Sequence, residues 1–399
     1  MTTDTTSSTP PSLAIINIGR LYTGDIERPV MEAEALYVDA RRVAGIGTNT
    51  QILARAPDSV VDARGLTVMP GLIDCHVHPV IGDWTPRHKT LDWLSGYGRG
   101  GVTTVVSQGA PHVQGRPRDG LGTKLVAMLS ARTFENFRPG GVRVMGGVVL
   151  LEPGLRDEDF REMHAAGVRY IGEIGISGVR DPEDAAPMVA TARSLGWRIS
   201  MHFGGPSIAG SRAMGLAEAL QIRPDVIAHV NGGSTGRADE EVLGVVDQMD
   251  AFVEGCYHGG FRQLVLVARA LAERGRLRRF IFGSDSPSSI GIAPQAILRM
   301  ISALAGLTEI TIGELVASAS GNAGRAFDLG LGTLAVGAPA DLLIVDAPLG
   351  SVADDATAAL RSGDMPSLAL TLQNGSPLQE RAFNLPFPKR DIAWLKSRE

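Results

Sequence analysis

The feature that most constrains the fold is a pattern that occurs eight times between residues 71 and 285. In each repeat a short apolar run ends in glycine or polar residues, and a longer stretch that suits a helix follows. Such alternation predicts parallel βαβ units, and eight of them predict an α/β fold of the (β/α)8 TIM-barrel type. The runs occupy residues 71–79, 101–109, 141–151, 167–176, 198–205, 226–233, 251–257 and 279–285.

A doubly wound parallel sheet is the alternative architecture. The count of eight runs disfavours it, and so do the polar residues that gather at the end of nearly every run. In a barrel these ends lie on one face, around a single central site. The sequence therefore favours the barrel.

The flanking segments have a different pattern. Residues 13–70 and 331–399 contain short alternating strands with turns between them, and each segment alone is too small to bury a good core. We expect them to pack together as one small β-sandwich domain, with the barrel of residues 71–330 inserted between its halves. Residues 1–12 are rich in Thr, Ser and Pro and are expected to be a disordered tail.

Composition excludes several classes of protein. The formal net charge is −5, and no basic run is long enough to bind nucleic acid by charge alone. No stretch approaches the ~18 apolar residues of a membrane span, and the first residues do not resemble a secretory signal. The two cysteines, Cys75 and Cys256, give no disulfide framework. A cytoplasmic enzyme is the expectation.

The sharpest local motif is the strand segment Asp74-Cys75-His76-Val77-His78. Side chains alternate faces along a strand, so His76 and His78 point the same way. Two imidazoles about 7 Å apart along one strand can chelate a single metal ion. Taken alone, the motif fits equally well two histidines that are satisfied within a polar strand.

Other residues with metal-ligand side chains lie at or near the ends of other runs. Three of them lie inside otherwise apolar strands, where an unpartnered polar group would be costly. In a barrel all of them converge with His76 and His78, and four histidines with two carboxylates suit two Zn²⁺ or Fe²⁺ ions, with Mn²⁺ or Co²⁺ as alternatives. These further residues are Glu173, His202, His229 and Asp285.

This arrangement resembles the amidohydrolase superfamily, whose members carry HxH on strand 1, a bridging ligand on strand 4, His on strands 5 and 6 and Asp on strand 8. The resemblance implies one metal on His76, His78 and Asp285 and a second on His202 and His229. Glu173 would bridge the two metals where many members use a carboxylated lysine. A hydroxide held between the metals would be the nucleophile, and Asp285 would shuttle protons as the catalytic acid and base.

A narrower resemblance is to superfamily members that hydrolyse cyclic enamides. It is carried by residues 86–90, 100–104, 111–119, 172–175, 181–189, 201–205, 229–233 and 282–291, whereas the loop at 255–260 departs from it. It implies ring opening of a cyclic amide (enamide or lactam) that carries a carboxylate, and a homo-oligomer. Basic and histidine side chains on the loops after strands 1, 2 and 7 are the candidate substrate-binding residues: Arg87, His112, Arg116 and His258.

Other functions stay open on the same scaffold. They are ring opening of a dihydropyrimidinase-like imide, hydrolysis of an N-acyl amino acid or a dipeptide, deamination, and a non-catalytic binding role. Deaminases often carry a catalytic Glu after strand 5, where this chain has Gly204-Gly205-Pro206. A non-catalytic member should have lost ligands, and all six are present.

Overall fold

The structure, a computed structural model, describes residues 10–79, 93–109, 115–287, 291–380 and 385–396, with the side chain of Ser234 left aside. The N-terminal segment forms short strands and one helix. These are β1 (Leu13–Ile16), β2 (Arg20–Tyr22), β3 (Val30–Met31), β4 (Ala35–Asp39), β5 (Arg42–Gly47), α1 (Asn49–Leu53), β6 (Ser59–Asp62) and β7 (Thr67–Pro70).

The central segment alternates strands and helices, as the repeated pattern predicts. Its elements are β8 (Leu72–Val77), β9 (Val102–Ser107), α2 (Gly120–Asn136), β10 (Arg143–Met145), β11 (Val148–Val149), α3 (Asp157–Ala165), β12 (Tyr170–Ile174), α4 (Pro182–Ser194), β13 (Arg198–His202), α5 (Leu216–Ile222), β14 (Val226–Ala228), α6 (Asp239–Gln248), β15 (Phe252–Cys256), α7 (Phe261–Glu273) and β16 (Phe280–Gly283). Each of the eight apolar runs contains a strand, and the predicted α/β class is confirmed.

The C-terminal segment begins with helices and ends with strands. These are α8 (Ala296–Leu307), α9 (Ile312–Ser318), α10 (Gly321–Ala326), β17 (Leu342–Asp346), α11 (Ala356–Arg361), β18 (Ser367–Gln373), β19 (Ser376–Glu380) and β20 (Ala393–Lys396). Across the described ranges, no helix has both the length and the apolar character that a membrane crossing requires.

The central strands are parallel and follow one another in chain order. One sheet runs β8-β9-β10 and another β11-β12-β13-β14-β15-β16. The third apolar run is split into β10 and β11 by Gly146 and Gly147. The last strand returns to the first: the Asp285 N–H donates to the His76 carbonyl at 2.8 Å, and the His78 N–H donates to the Ser286 carbonyl at 2.8 Å. The carboxyl ends of β8 and β16 therefore lie side by side.

Burial explains why these segments form a parallel sheet. All five residues of β12 (Tyr-Ile-Gly-Glu-Ile) are buried, and so are all six of β8. Strands covered on both faces are typical of parallel sheets that carry helices outside. The helix α7 shows the covering side, because it buries Leu264, Val267 and Leu271 while charged residues such as Arg262 face solvent.

The two flanking segments share two further sheets. One has the order β20-β6-β1-β4-β5, and the other β19-β18-β17-β7-β2-β3. In both, a C-terminal strand pairs with an N-terminal one, β20 with β6 and β17 with β7, each antiparallel. Side chains from both ends of the chain, including Ile15, Val68, Leu342 and Leu370, meet in one hydrophobic cluster. The domain boundaries at residues 70/71 and 330/331 stay a prediction.

Candidate metal centre

Six side chains meet where the central parallel strands end, and we call this set the candidate metal centre. His76 lies in β8 and His78 directly follows it, while Glu173 lies near the end of β12. His202 ends β13 and His229 directly follows β14; Asp285 lies two residues beyond β16. The parallel arrangement places all six at the same edge, because carboxyl ends of parallel strands share an edge.

Glu173 stands between two groups of histidines. Its Oε1 lies 2.6 Å from His229 Nε2 and 3.6 Å from His202 Nδ1. Its Oε2 lies 3.4 Å from His76 Nε2 and 3.7 Å from His78 Nε2. One carboxylate oxygen thus faces each pair, which is the geometry that a bridge between two cations needs.

Asp285 completes the group on the β8 side. Its Oδ1 lies 3.0 Å from His78 Nε2 and 3.7 Å from His76 Nε2. The candidate ligand atoms of His76, His78 and Asp285 all lie within 4.8 Å of one another, and so do those of His76, Glu173 and His229. His202 Nδ1 lies next to the group of His76, Glu173 and His229, at 3.2 Å from His229 Nε2.

The outward nitrogen of each histidine lies next to an acceptor. His78 Nδ1 lies 2.8 Å from the Gly109 carbonyl, His202 Nε2 3.0 Å from the Gly205 carbonyl, and His229 Nδ1 3.2 Å from the Phe203 carbonyl. A carbonyl can only accept, so each of these nitrogens carries the proton. When the ring is neutral, the inward nitrogen keeps its lone pair, which is the arrangement that metal-binding histidines show.

His76 tests whether the residues fit a metal. Its Nδ1 lies 3.1 Å from each oxygen of Glu254. Its Nε2 is buried and has no hydrogen-bond partner within the described part of the chain, although Glu173 and Asp285 oxygens lie nearby. A buried unpartnered imidazole nitrogen beside two carboxylates is costly without a further group. Imidazole and carboxylate donors are the ligands that Zn²⁺ and Fe²⁺ accept, so the residues fit such a cation.

The histidines of the centre stabilise the ionised form of its two carboxylates. Burial alone would raise the pKa of Glu173, but the neighbouring His76, His202 and His229 hold that pKa well below its usual range. Burial likewise works against ionised Asp285, yet its hydrogen bond with His78 and the nearby imidazoles lower its pKa. Both carboxylates are therefore anionic at neutral pH. Their charge favours cations at this position.

Two residues of the centre have a backbone conformation that L-residues rarely adopt. His229 has φ of 35° and Asp285 has φ of 58°. Left-handed backbone at non-glycine residues is strained and tends to occur at functional sites.

The candidate substrate-binding residues differ in their surroundings and contacts. Arg116 is buried, and its guanidinium donates to Glu152 at 2.6 Å and to Ser177 at 3.2 Å, so it already has an anionic partner. Both ring nitrogens of His258 are buried, and among the described residues neither has a hydrogen-bond partner. Burial lowers the pKa of His258, and its ring is therefore neutral. Arg87 and His112 lie outside the described residues.

Sequence reasoning missed the residues that hold the ligands in place. Glu254 contacts His76 from β15, and Asp74 Oδ1 accepts the backbone N–H groups of His76 and Ser284. Asn231 joins the β14 and β15 ends through the backbone N–H and carbonyl of Cys256. A signal was available for Glu254, because it is a lone carboxylate in the apolar run 251–257, as Glu173 is in its own run.

The two cysteines lie outside the candidate ligand groups. Both are fully buried, and burial raises the pKa of each thiol well above its usual value. A thiol held neutral is neither a nucleophile nor a ready metal ligand.

Comparison with known proteins agrees with this fold and site. Residues 262–377 match the model of the amidohydrolase family. Enamidase from Eubacterium barkeri is 42% identical over 376 residues, which cover 94% of this chain and 97% of that protein. This chain belongs to the amidohydrolase family, a class of hydrolases.

The particular relative is also recognisable in three dimensions. The crystal structure of enamidase superposes with a TM-score of 0.92 at 42% sequence identity, covering 96% of this chain and all (100%) of the other. A putative prolidase from Bifidobacterium longum has a TM-score of 0.64 at 18% identity and shares the fold alone. The predicted resemblance to the superfamily is confirmed, and so is the narrower one to enamidase.

Proposed function

We propose that this chain is a metal-dependent hydrolase that opens a cyclic amide, an enamide or lactam, by cleaving its ring C–N bond. One observation supports the proposal most: Glu173 places one carboxylate oxygen toward each of two histidine pairs. The similarity to enamidase over nearly the whole chain supports the cyclic amide as substrate class.

The residues of the centre would hold two divalent cations, Zn²⁺ or Fe²⁺, with Mn²⁺ or Co²⁺ as alternatives. His76, His78 and Asp285 would hold one, His202 and His229 the other, and Glu173 would bridge them. When bound, such ions lower the pKa of water to near neutrality and polarise a carbonyl oxygen.

Asp285 is the group best placed to move protons. Its side chain is 18% exposed, whereas those of His76, His78, Glu173 and His202 are at most 3% exposed and that of His229 is 9% exposed. Asp285 can therefore reach a substrate that enters from solvent. It would accept the proton of the attacking water and deliver it to the leaving ring nitrogen.

Recognition of the ring would fall to the loops around the centre. The neutral ring of His258 can donate one hydrogen bond to a substrate oxygen. The Arg116 guanidinium is already paired with Glu152. Arg116 could therefore bind a substrate carboxylate only if its guanidinium contacted Glu152 and the substrate at the same time. With Arg87 and His112, these residues stay our candidates for binding a six-membered cyclic amide that bears a carboxylate, such as 6-oxo-1,4,5,6-tetrahydronicotinate.

We further propose a (β/α)8 barrel over residues 71–330, a composite β-sandwich of 13–70 and 331–399, a homo-oligomer and a cytoplasmic location. The parallel strands in chain order and the hydrogen bonds from β16 back to β8 support the barrel. The shared sheets of the chain ends support the sandwich.

A substrate screen tests the proposed reaction. Purified enzyme loaded with two equivalents of Zn²⁺ or Fe²⁺ should open carboxylated six-membered cyclic amides. The loss of ring absorbance and mass spectrometry of the product monitor the reaction. Linear N-acyl amino acids, dipeptides, cyclic imides and aminopurines serve as comparison substrates. Efficient hydrolysis of linear amides together with inert cyclic amides would refute the cyclic-amide proposal and leave a metallohydrolase of another specificity.

The bridging role of Glu173 gives a separate prediction. Glu173→Gln keeps the shape but removes the anion that offsets two cations. Removing a residue that only hydrogen-bonds to a metal ligand costs about 10–100-fold in metal affinity. Because Glu173 would be a ligand itself, this change should lower metal affinity at least that much, and kcat should fall in parallel. Metal content by mass spectrometry and kcat measure both effects.

A surface change provides the control for Glu173. Glu162→Gln removes a glutamate that is half exposed and pairs with Lys124, and it should leave metal content unchanged. Bicarbonate should not improve reconstitution, since a glutamate bridge needs no lysine carboxylation. Normal metal affinity in Glu173→Gln would refute the bridge.

A further inference from the structure

A carboxylate outside the candidate metal centre contacts two parts of it. Glu254 lies in the middle of β15, between Val253 and Gly255, and is fully buried. Both of its oxygens lie 3.1 Å from His76 Nδ1, and Oε1 also accepts the backbone N–H of His229 at 3.4 Å. The side chain of Glu254 thus contacts both His76 in β8 and His229, which directly follows β14.

The surroundings provide the space for this contact. A Cβ at Gly283, in β16, would lie 2.5 Å from His76 Cβ and 2.6 Å from Glu254 Oε1. Real Cβ atoms do not approach other atoms so closely, so any side chain at Gly283 would push Glu254 and His76 apart. The glycine of β16 thus permits the contact between the side chains of β8 and β15.

Burial makes the contact energetically significant. A carboxylate buried in an apolar strand is costly unless it is paired and hydrogen-bonded. A carboxylate beside Nδ1 keeps the proton on that nitrogen, so the lone pair of the neutral ring lies on Nε2. It also makes the ring a stronger electron donor toward a cation at Nε2.

We infer that Glu254 is a positioning residue that orients His76 for metal binding and ties the His229 backbone to the same anion. The inference rests on the proposed dimetal function. Glu254 contacts His76 at Nδ1, whereas the Glu173 and Asp285 oxygens lie near Nε2, on the opposite side of the ring. Its effect therefore reaches a substrate only through His76 and His229.

The test measures Zn²⁺ binding directly, without substrate. Metal-free wild type and Glu254→Gln are titrated with Zn²⁺ in competition with a chromophoric chelator, and their thermal unfolding is recorded. The amide of Gln can donate to Nδ1 and place the ring proton on Nε2, which then cannot bind metal. We expect at least one of the two Zn²⁺ equivalents to bind about 10–100-fold more weakly.

A matched control separates positioning from general burial of charge. Asp346 is also a fully buried carboxylate in a strand, β17, where it pairs with Arg390 in a sheet that holds none of the six candidate ligands. Asp346→Asn should lower the unfolding temperature and leave both Zn²⁺ affinities as in wild type. A merely structural role for Glu254 would give that same pattern, and this result would overturn the inference.

The outcomes distinguish the inference from the function on which it rests. If wild type binds no Zn²⁺ tightly, the dimetal proposal fails and this inference with it. If wild type binds two equivalents and Glu254→Gln binds them equally well, only the inference fails. Should Glu254→Gln not fold, Glu254→Asp decides: it keeps the charge but withdraws it from Nδ1, and an unchanged Zn²⁺ affinity would overturn the inference.

Discussion

Strong chelation should abolish hydrolysis, and two equivalents of Zn²⁺ or Fe²⁺ per chain should restore it. The reason is that the chemistry depends on cations held by His76, His78, Glu173, His202, His229 and Asp285. His76→Ala and His229→Ala should each lose mainly one ion, because these residues belong to different histidine pairs around Glu173. Metal content of each preparation, measured beside its activity, checks the prediction.

A histidine outside the centre provides the control. His164 lies on α3, where its Nδ1 accepts from the indole N–H of Trp197. His164→Ala should keep both metals and most of the activity, with some loss of stability from the lost packing. A metal-free preparation of the wild type that remained fully active would end the metal-dependent interpretation of this site.

Asp285→Asn should cut kcat by roughly 10²–10⁴-fold, the usual contribution of a positioned acid and base, while both metals stay largely bound. An amide oxygen can still face a cation at this position, but an amide cannot accept and return a proton. The bound-metal stoichiometry and the single-turnover rate separate the two effects. Because the change acts on the chemical step, KM should move much less than kcat.

Asp239→Asn is the matched control, since Asp239 is a surface carboxylate on α6 that pairs with Arg262. It should leave kcat unchanged. If Asp285→Asn instead lost one metal and regained full activity with excess metal, Asp285 would be a ligand only, and the proton transfer would need another group.

Much of the candidate centre was visible in the sequence because each ligand is conspicuous in its own strand. His76 and His78 share a strand face by the alternation of side chains, and Glu173, His202 and His229 are polar residues in or directly after apolar runs. The repeated strand and helix pattern predicts that the ends of these runs converge. These inferences need only local periodicity and the cost of burying a polar group.

Pairings between distant residues could not be predicted in this way. Arg116 was expected to face a substrate, but it lies buried against Glu152, a residue of a different loop. The left-handed backbone at His229 and Asp285 is equally invisible in the residue types. Both depend on how neighbouring loops pack, which a single sequence pattern does not encode.

The sequence by itself determined the alternation of strands and helices, the family and the six candidate ligands, because each rests on local patterning or on motifs. The tertiary structure decided which nitrogen of each histidine faces inward, which oxygen of Glu173 faces which pair, and that Glu254 holds His76 across 178 positions of chain. Hydrogen bonds are directional and short-ranged, so these choices arise only when β8, β15 and β16 are brought side by side.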